Sequence, residues 1–223
     1  MMFVDIDTET TSRLSEAKWC LDNLVESATS PEQVFKEKLY KGMFFVSLYG
    51  TIEYTVCSLV CRIIDKINED KHVQVTHLKT CLLSLLLHSE CEALYQAADK
   101  KWAKRLTLFN RINDDEKSDI INTILPAQSG NLKRKQIQQI CEVFGVEFPI
   151  ISNPTLEYRL STIADNRNAI AHGRKTTCEV GSQYTKNQLI EYYTVVQEYC
   201  LYLNQQLFNY IRNKHYIKPD KRS

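Results

Sequence analysis

The chain has 223 residues, 43% of them hydrophobic and 25% charged, a balance that suits a globular protein with one sizeable core. Its formal net charge of +1 excludes a global basic field as the means of holding nucleic acid, so a binder of this composition needs a local basic patch. Only 6 Gly and 5 Pro supply turns, which argues against a many-stranded sheet and for an all-α chain of long helices with few connections.

The opening "MMFVDIDTETTSR" has acidic residues where a basic leader would be, so no cleavable leader is expected. Residues 10–29 show helical spacing at Leu14, Ala17, Leu21 and Leu24 or Val25. "SPEQ" at 30–33 reads as a helix start, with Ser30 as N-cap and Pro31 in the first turn. The helix it opens is expected to run to about Asp70, with Phe45, Tyr49, Ile52, Val56, Leu59, Ile63 and Ile67 on one stripe. Within it, residues 42–61 are apolar enough to suggest a membrane span. Glu53 at the middle, with Ser, Thr, Gly and two Tyr around it, points instead to a buried helix of a bundle, and no membrane partner is expected.

Residues 76–112 read as one or two further helices centred on "LLSLLL". The section 113–152 is polar at first, carries Pro126 and "SGN", and then a short helix ending at Gly145. It is expected to be an insertion or appendage in a single domain spanning 1–223. After "SNP" a helix opens with Asn153 as N-cap and Pro154 as first residue, and reaches Gly173. A loop, 174–184, precedes a last helix from 185 to about 213, striped with Leu189, Tyr192, Val196, Tyr199, Leu203 and Leu207. The tail "KPDKRS" is expected to fray.

The 8 cysteines are scattered through apolar runs without a C-x-x-C pair, and no zinc pattern is completed by nearby histidines. They read as reduced core residues of a cytoplasmic protein, with no metal and no cofactor expected.

The segment "RNAIAHG", 167–173, is either a helix stop or the chemical centre. Leu156, Leu160, Ile163, Arg167 and Ile170 form a seam, and Arg167 interrupts it with a permanent charge that must find a carboxylate, a phosphate or water. Asp165, Asn168 and His172 form a second polar strip. Along a continuous helix Arg167 and His172 differ by roughly 140°, so the two reach one cleft only where another helix, or a second copy of this one, packs across the seam. The plain alternative is a helix end: Gly173 suits a C′ cap, and a histidine in the last turn suits the helix dipole.

Arg167-Asn168-Ala-Ile-Ala-His172, placed between two long helices, resembles the R-x(4–6)-H motif of the HEPN family of all-α proteins. Together with "YGTIEY" in the early helix it looks most like the MAE-like branch. Some family toxins have a tyrosine two residues after the histidine; Arg174 stands there, so regulation through that tyrosine is not carried over. The resemblance implies a bundle of long antiparallel helices and a metal-independent endoribonuclease, a toxin or defence effector with RNA as substrate and an antitoxin protein as partner. Cleavage by the 2′-OH would leave 2′,3′-cyclic phosphate and 5′-OH ends. His172 would move protons and Arg167 would hold the phosphate, because imidazole changes charge near neutral pH and the guanidinium fork grips two oxygens. Acid and base would come from the two copies in a symmetric homodimer formed through 167–173.

Asn168 and Glu53 complete the expected catalytic set. Glu53 either pairs with Arg167, orients His172, or faces outward. Arg174 and Lys175 are the candidates for guiding RNA, with "KRK" at 133–135 a weaker one. The alternative function is a non-catalytic helical scaffold whose Arg167 and His172 stabilise a dimer.

Overall fold

A computed structural model describes residues 3–25, 29–114, 119–121, 132, 134–149 and 154–222. Among these residues the protein is all-α, with a single isolated bridge between Leu78 and Ile217 and no strand. The helices are α1 (Val4–Asp22), α2 (Pro31–Glu69), α3 (Leu83–Leu86), α4 (His88–Tyr95), α5 (Lys101–Ile112), α6 (Arg134–Phe144), α7 (Pro154–Ala171), α8 (Thr177–Gly181) and α9 (Lys186–Arg212).

The 39-residue α2 is the axis of the fold, against which α1, α7, α8 and α9 all pack. Its start is the one read from "SPEQ": the Ser30 side chain accepts from the Gln33 N–H, and the Gln33 side chain accepts in return from the Ser30 N–H. Every residue of its expected stripe is buried. So are Phe44, Leu48, Val60 and Ile64 on adjoining faces, because the helix has neighbours on several sides. By length and composition α2 could cross a membrane, yet 56% of its most apolar window is buried by the rest of the fold.

α1 begins earlier than the spacing at 10–29 suggested, because Phe3, Ile6 and Thr10 extend its buried stripe. Asp5 and Asp7 in its first turn suit the positive end of the helix dipole. The last helix is as expected, capped by Thr185, with its whole stripe buried.

Three expectations are corrected. Residues 76–112 are not one or two long helices. Two 3-10 turns, Val75–His77 and Thr80–Leu82, come first, then α3, α4 and α5. The interruption has a tertiary cause: the Lys79 N–H donates to the Tyr216 carbonyl and the Lys218 N–H to the His77 carbonyl, so this stretch pairs with the C-terminus instead of with itself. The same bonds overturn the frayed tail. Within it, Lys218 Nζ donates to the Thr76 carbonyl at 2.8 Å, Pro219–Lys221 form a 3-10 turn and Arg222 donates to the Ile217 carbonyl, next to buried Tyr216, whose hydroxyl donates to Asp70 at 2.7 Å. The expected loop at 174–184 contains α8, opened by a capping box between Thr176 and Glu179.

Within 113–152, residues 115–118, 122–131, 133 and 150–152 lie outside the described residues, as does the N-cap expected at Asn153. What is described joins the common core. The Asn68 side chain both donates to and accepts from the backbone of Ile120, and Ile137, Ile140 and Phe144 of α6 are buried with α2 and α9. Gly145 ends α6 at φ +61, and the Tyr210 hydroxyl donates to the Phe144 carbonyl. The eight cysteines are all free thiols; Cys20 and Cys200 are buried, and burial pushes the Cys141 thiol up to about 12.

Candidate functional site

The segment 167–173 is first of all a completed helix end. Gly173 adopts φ +66, where an L side chain is strained. Its N–H donates to the Ile170 carbonyl, and the Arg174 N–H reaches the Ala169 carbonyl at 2.9 Å, the paired bonds of a Schellman motif. The Lys175 N–H shares that carbonyl, and Thr176 immediately caps α8. His172 is therefore the C-cap, one residue past the end of α7, its N–H on the Asn168 carbonyl and its side chain exposed.

Arg167 lies one and a half turns back and faces inward. Its guanidinium stacks on the Tyr49 ring of α2, 4.5 Å from the centroid, and Nη1 donates to Asn168 Oδ1 at 3.0 Å. A stacked guanidinium keeps its N–H groups in the plane of the ion, the arrangement that grips a carboxylate or phosphate edge-on. Asn168, only 4% exposed, is the buried brace of that side chain. Asn166 is buried beside it and donates to the Tyr184 hydroxyl at 2.8 Å, tying α7 to the segment after α8.

Tyr49 is the hub that sequence reading assigned to packing alone. Its buried hydroxyl donates to Glu53 Oε1 at 3.2 Å and accepts the Leu132 N–H at 2.7 Å. Burial lifts the phenol above its ordinary pKa; the Leu132 N–H opposes this, the Glu53 charge adds to it, and the Arg167 charge opposes it. Glu53 is half-buried, so the outward-facing alternative does not hold. Among the described residues its hydrogen bond is to Tyr49, and neither a direct Arg167 pair nor a His172 bond is formed. Glu53 and Arg167 thus meet the same tyrosine, one at the hydroxyl and one at the ring face. The i,i+4 spacing of Tyr49 and Glu53 was the available signal for the first of these contacts.

Arg174 and Lys175 are exposed on the turn beside His172, and Lys175 helps to hold the Glu179 carboxyl below its usual range, after the backbone and side chain of Thr176. Of "KRK", only Lys135 has a described side chain, and it is exposed. Among the described residues nothing joins the side chains of Arg167 and His172, and no three His, Cys, Asp or Glu side chains gather as a metal site.

The family model of RiboL-PSP-HEPN matches residues 8–209, which include both the α2 hub and the capped end of α7. The chain belongs to the RiboL-PSP-HEPN family. The expected HEPN membership is borne out and the fold is an all-α HEPN fold, while the match does not test the R-x(4–6)-H motif read from Arg167 to His172. The match is to the RiboL-PSP group and does not speak for the MAE-like branch. No curated protein and no solved structure matches the chain. Membership suggests an RNA-related role for this HEPN chain.

The hub makes a separable prediction. Tyr49→Phe keeps the ring under Arg167 but leaves the Leu132 N–H buried without its acceptor, a loss of about 1–3 kcal/mol. Thermal unfolding should fall by roughly 2–12 °C for a chain of this size. Tyr49→Leu removes the ring as well and should unseat Arg167. An unchanged melting temperature in Tyr49→Phe would show that the hydroxyl contributes nothing to the hub.

Proposed function

We propose that this HEPN chain is a metal-independent endoribonuclease that works as a symmetric homodimer. The observation that carries the reading is the placement of one exposed imidazole at the capped end of the helix that seats an arginine fork on Tyr49. Transfer within RNA needs a base for the 2′-OH proton, an acid for the 5′-oxygen and a cation for the phosphorane. His172 serves the proton transfers and Arg167 the phosphate. Asn168 braces Arg167 directly, and Glu53 does so through Tyr49. Arg174 and Lys175, on the turn beside His172, guide the strand. The products are 2′,3′-cyclic phosphate and 5′-OH ends, and DNA is spared for want of the hydroxyl. A cytoplasmic toxin or defence effector restrained by an antitoxin protein is the biological setting that agrees with such an activity.

One imidazole cannot stand on both sides of a phosphate, so the reading requires a second copy whose 167–173 segment shares the cleft. An interface of that kind buries on the order of 1,000 Å² or more. Subunit mixing tests it. Arg167→Ala and His172→Ala homodimers should each be inactive on RNA in EDTA. Exchanged with unaltered subunits, His172→Ala subunits should form heterodimers that hold one imidazole in the cleft and little activity, so activity should fall more steeply than the unaltered fraction. Activity that falls only in proportion to the unaltered fraction, or a monomer by light scattering, overturns the composite site.

A second reading has an observation of its own. Arg167 is half-buried and engaged within its own chain by Tyr49 and Asn168, as a structural arginine in a non-catalytic scaffold would be. That reading expects Arg167→Ala to lower stability and no EDTA-resistant cleavage from the unaltered protein.

A further inference from the structure

The α4–α5 pair projects from the bundle. Neither helix has a buried residue; α5 packs on α4, and α4 joins the core side through α3. Part-buried Leu108, Arg111 and Ile112 mark the side of α5 that faces α4, where Arg111 reaches Glu90. The opposite side carries Trp102, Leu106 and Phe109, which are 74%, 65% and 62% exposed. On a helical wheel these three fall within about 60° of one another. Such a stripe on a soluble chain is normally covered by a partner.

The charge around it states what kind of partner. Residues 100–111 contain Lys100, Lys101, Lys104, Arg105 and Arg111 and no carboxylate, in a chain whose net charge is +1. Arg111 is paired with Glu90 and Asp114, so the local basic patch that the composition required of any nucleic-acid binder is carried by the lysines and Arg105. Lys101 and Arg105 line one flank of the stripe, and the Arg105 guanidinium already stacks on the Trp102 ring, 4.8 Å from its centroid. Ala103 and Asn110 line the other flank. Cations along one side of a row of exposed rings match a single strand, whose phosphates run along one side of its bases. A bilayer calls for a broad apolar face with cations on both borders, and three side chains with a neutral flank do not supply it.

We infer that the α4–α5 arm is a binding site for single-stranded RNA, with Trp102 and Phe109 as stacking platforms for bases and Lys101 and Arg105 as phosphate contacts. The inference goes beyond cleavage and does not depend on it. The arm grows from the far end of α2, past Glu69, about 30 Å along the helix from Tyr49. Binding at the arm and chemistry at His172 are therefore separable.

The test uses the full chain carrying His172→Ala and a fluorescein-labelled, mixed-sequence single-stranded RNA of about 20 nucleotides, read by anisotropy. Adding Trp102→Leu and Phe109→Leu keeps the stripe apolar and removes both rings. It should raise the Kd about tenfold or more while leaving a duplex RNA of equal length little changed. Replacing Lys101 and Arg105 by glutamine should reduce the slope of log affinity against log salt by about one. Because these side chains are exposed, far-ultraviolet circular dichroism should stay the same. Unchanged affinity in the leucine variant overturns the site. So does a result in which Trp102→Asp with Phe109→Asp leaves RNA binding intact but releases the chain from phosphatidylserine vesicles, which assigns the arm to membranes. Conversion of a dimer to a monomer with RNA binding intact assigns it instead to a second copy. Failure of the cleavage reading looks different: the unaltered protein leaves RNA whole in EDTA while arm-dependent binding persists.

Discussion

His172→Ala is expected to abolish EDTA-resistant cleavage of RNA, with a loss of at least 100-fold to 10,000-fold, the range that positioned proton transfer contributes. The size follows from the position. His172 closes α7 with its backbone N–H on Asn168, and alanine can make the same bond. Its side chain is exposed, so little packing is lost. Gly173 still ends the helix at φ +66, and the bonds from Arg174 and Lys175 to Ala169 remain. The variant should therefore melt within about 1–2 °C of the unaltered chain, as surface substitutions do. That separation of activity from stability is the diagnostic. Full activity in the variant removes His172 from the chemistry, whereas a large fall in melting temperature shows that the residue supports the helix end.

The second large effect is on stability, at the contact that positions α8 behind the motif. Gly42 of α2 and Gly181 of α8 let the two backbones touch. A Cβ on Gly42 would lie 2.0 Å from the Thr177 carbonyl oxygen, and one on Gly181 would lie 1.9 Å from the Lys38 carbonyl oxygen. Both obstacles are backbone, so no side-chain rotation relieves them and the helices must separate. Gly181→Ala or Gly42→Ala should cost ~3 kcal/mol or more, at the upper end of overpacking, and lower the melting temperature by roughly 6–12 °C. Gly50 is the control. It lies on the same helix with nothing within 4 Å of an added Cβ, so Gly50→Ala should be neutral or stabilise by up to about 1 kcal/mol through helix propensity. Equal melting temperatures for Gly50→Ala and Gly181→Ala would show that α2 and α8 are not in close register.

The separation between what could be read along the chain and what could not follows the range of the interactions. Helix starts at Ser30 and Thr185, the stop at Gly173 and the apolar stripes of α2 and α9 rest on contacts within a few residues, so spacing and capping chemistry were enough to place them. The capping box of α8 was equally local, with Thr176 and Glu179 three apart, and was available to a closer reading of "TTCE". The charge of Arg167 within an apolar seam was also visible, since a buried cation demands a partner whatever the fold.

The identity of that partner was not visible. Tyr49 looked like any other stripe residue, and its role depends on α7 arriving over its ring and on Leu132, 83 positions away, bringing an N–H to its hydroxyl. The same holds where 75–82 gives up helical bonds to pair with 216–218, and where Asp70 holds Tyr216 just before the tail. These contacts join segments with no shared local pattern. Only the packing of α2, α7 and α9 around one core brings them within hydrogen-bond reach, because a backbone or hydroxyl group can select its partner only after tertiary burial has removed water as the competitor.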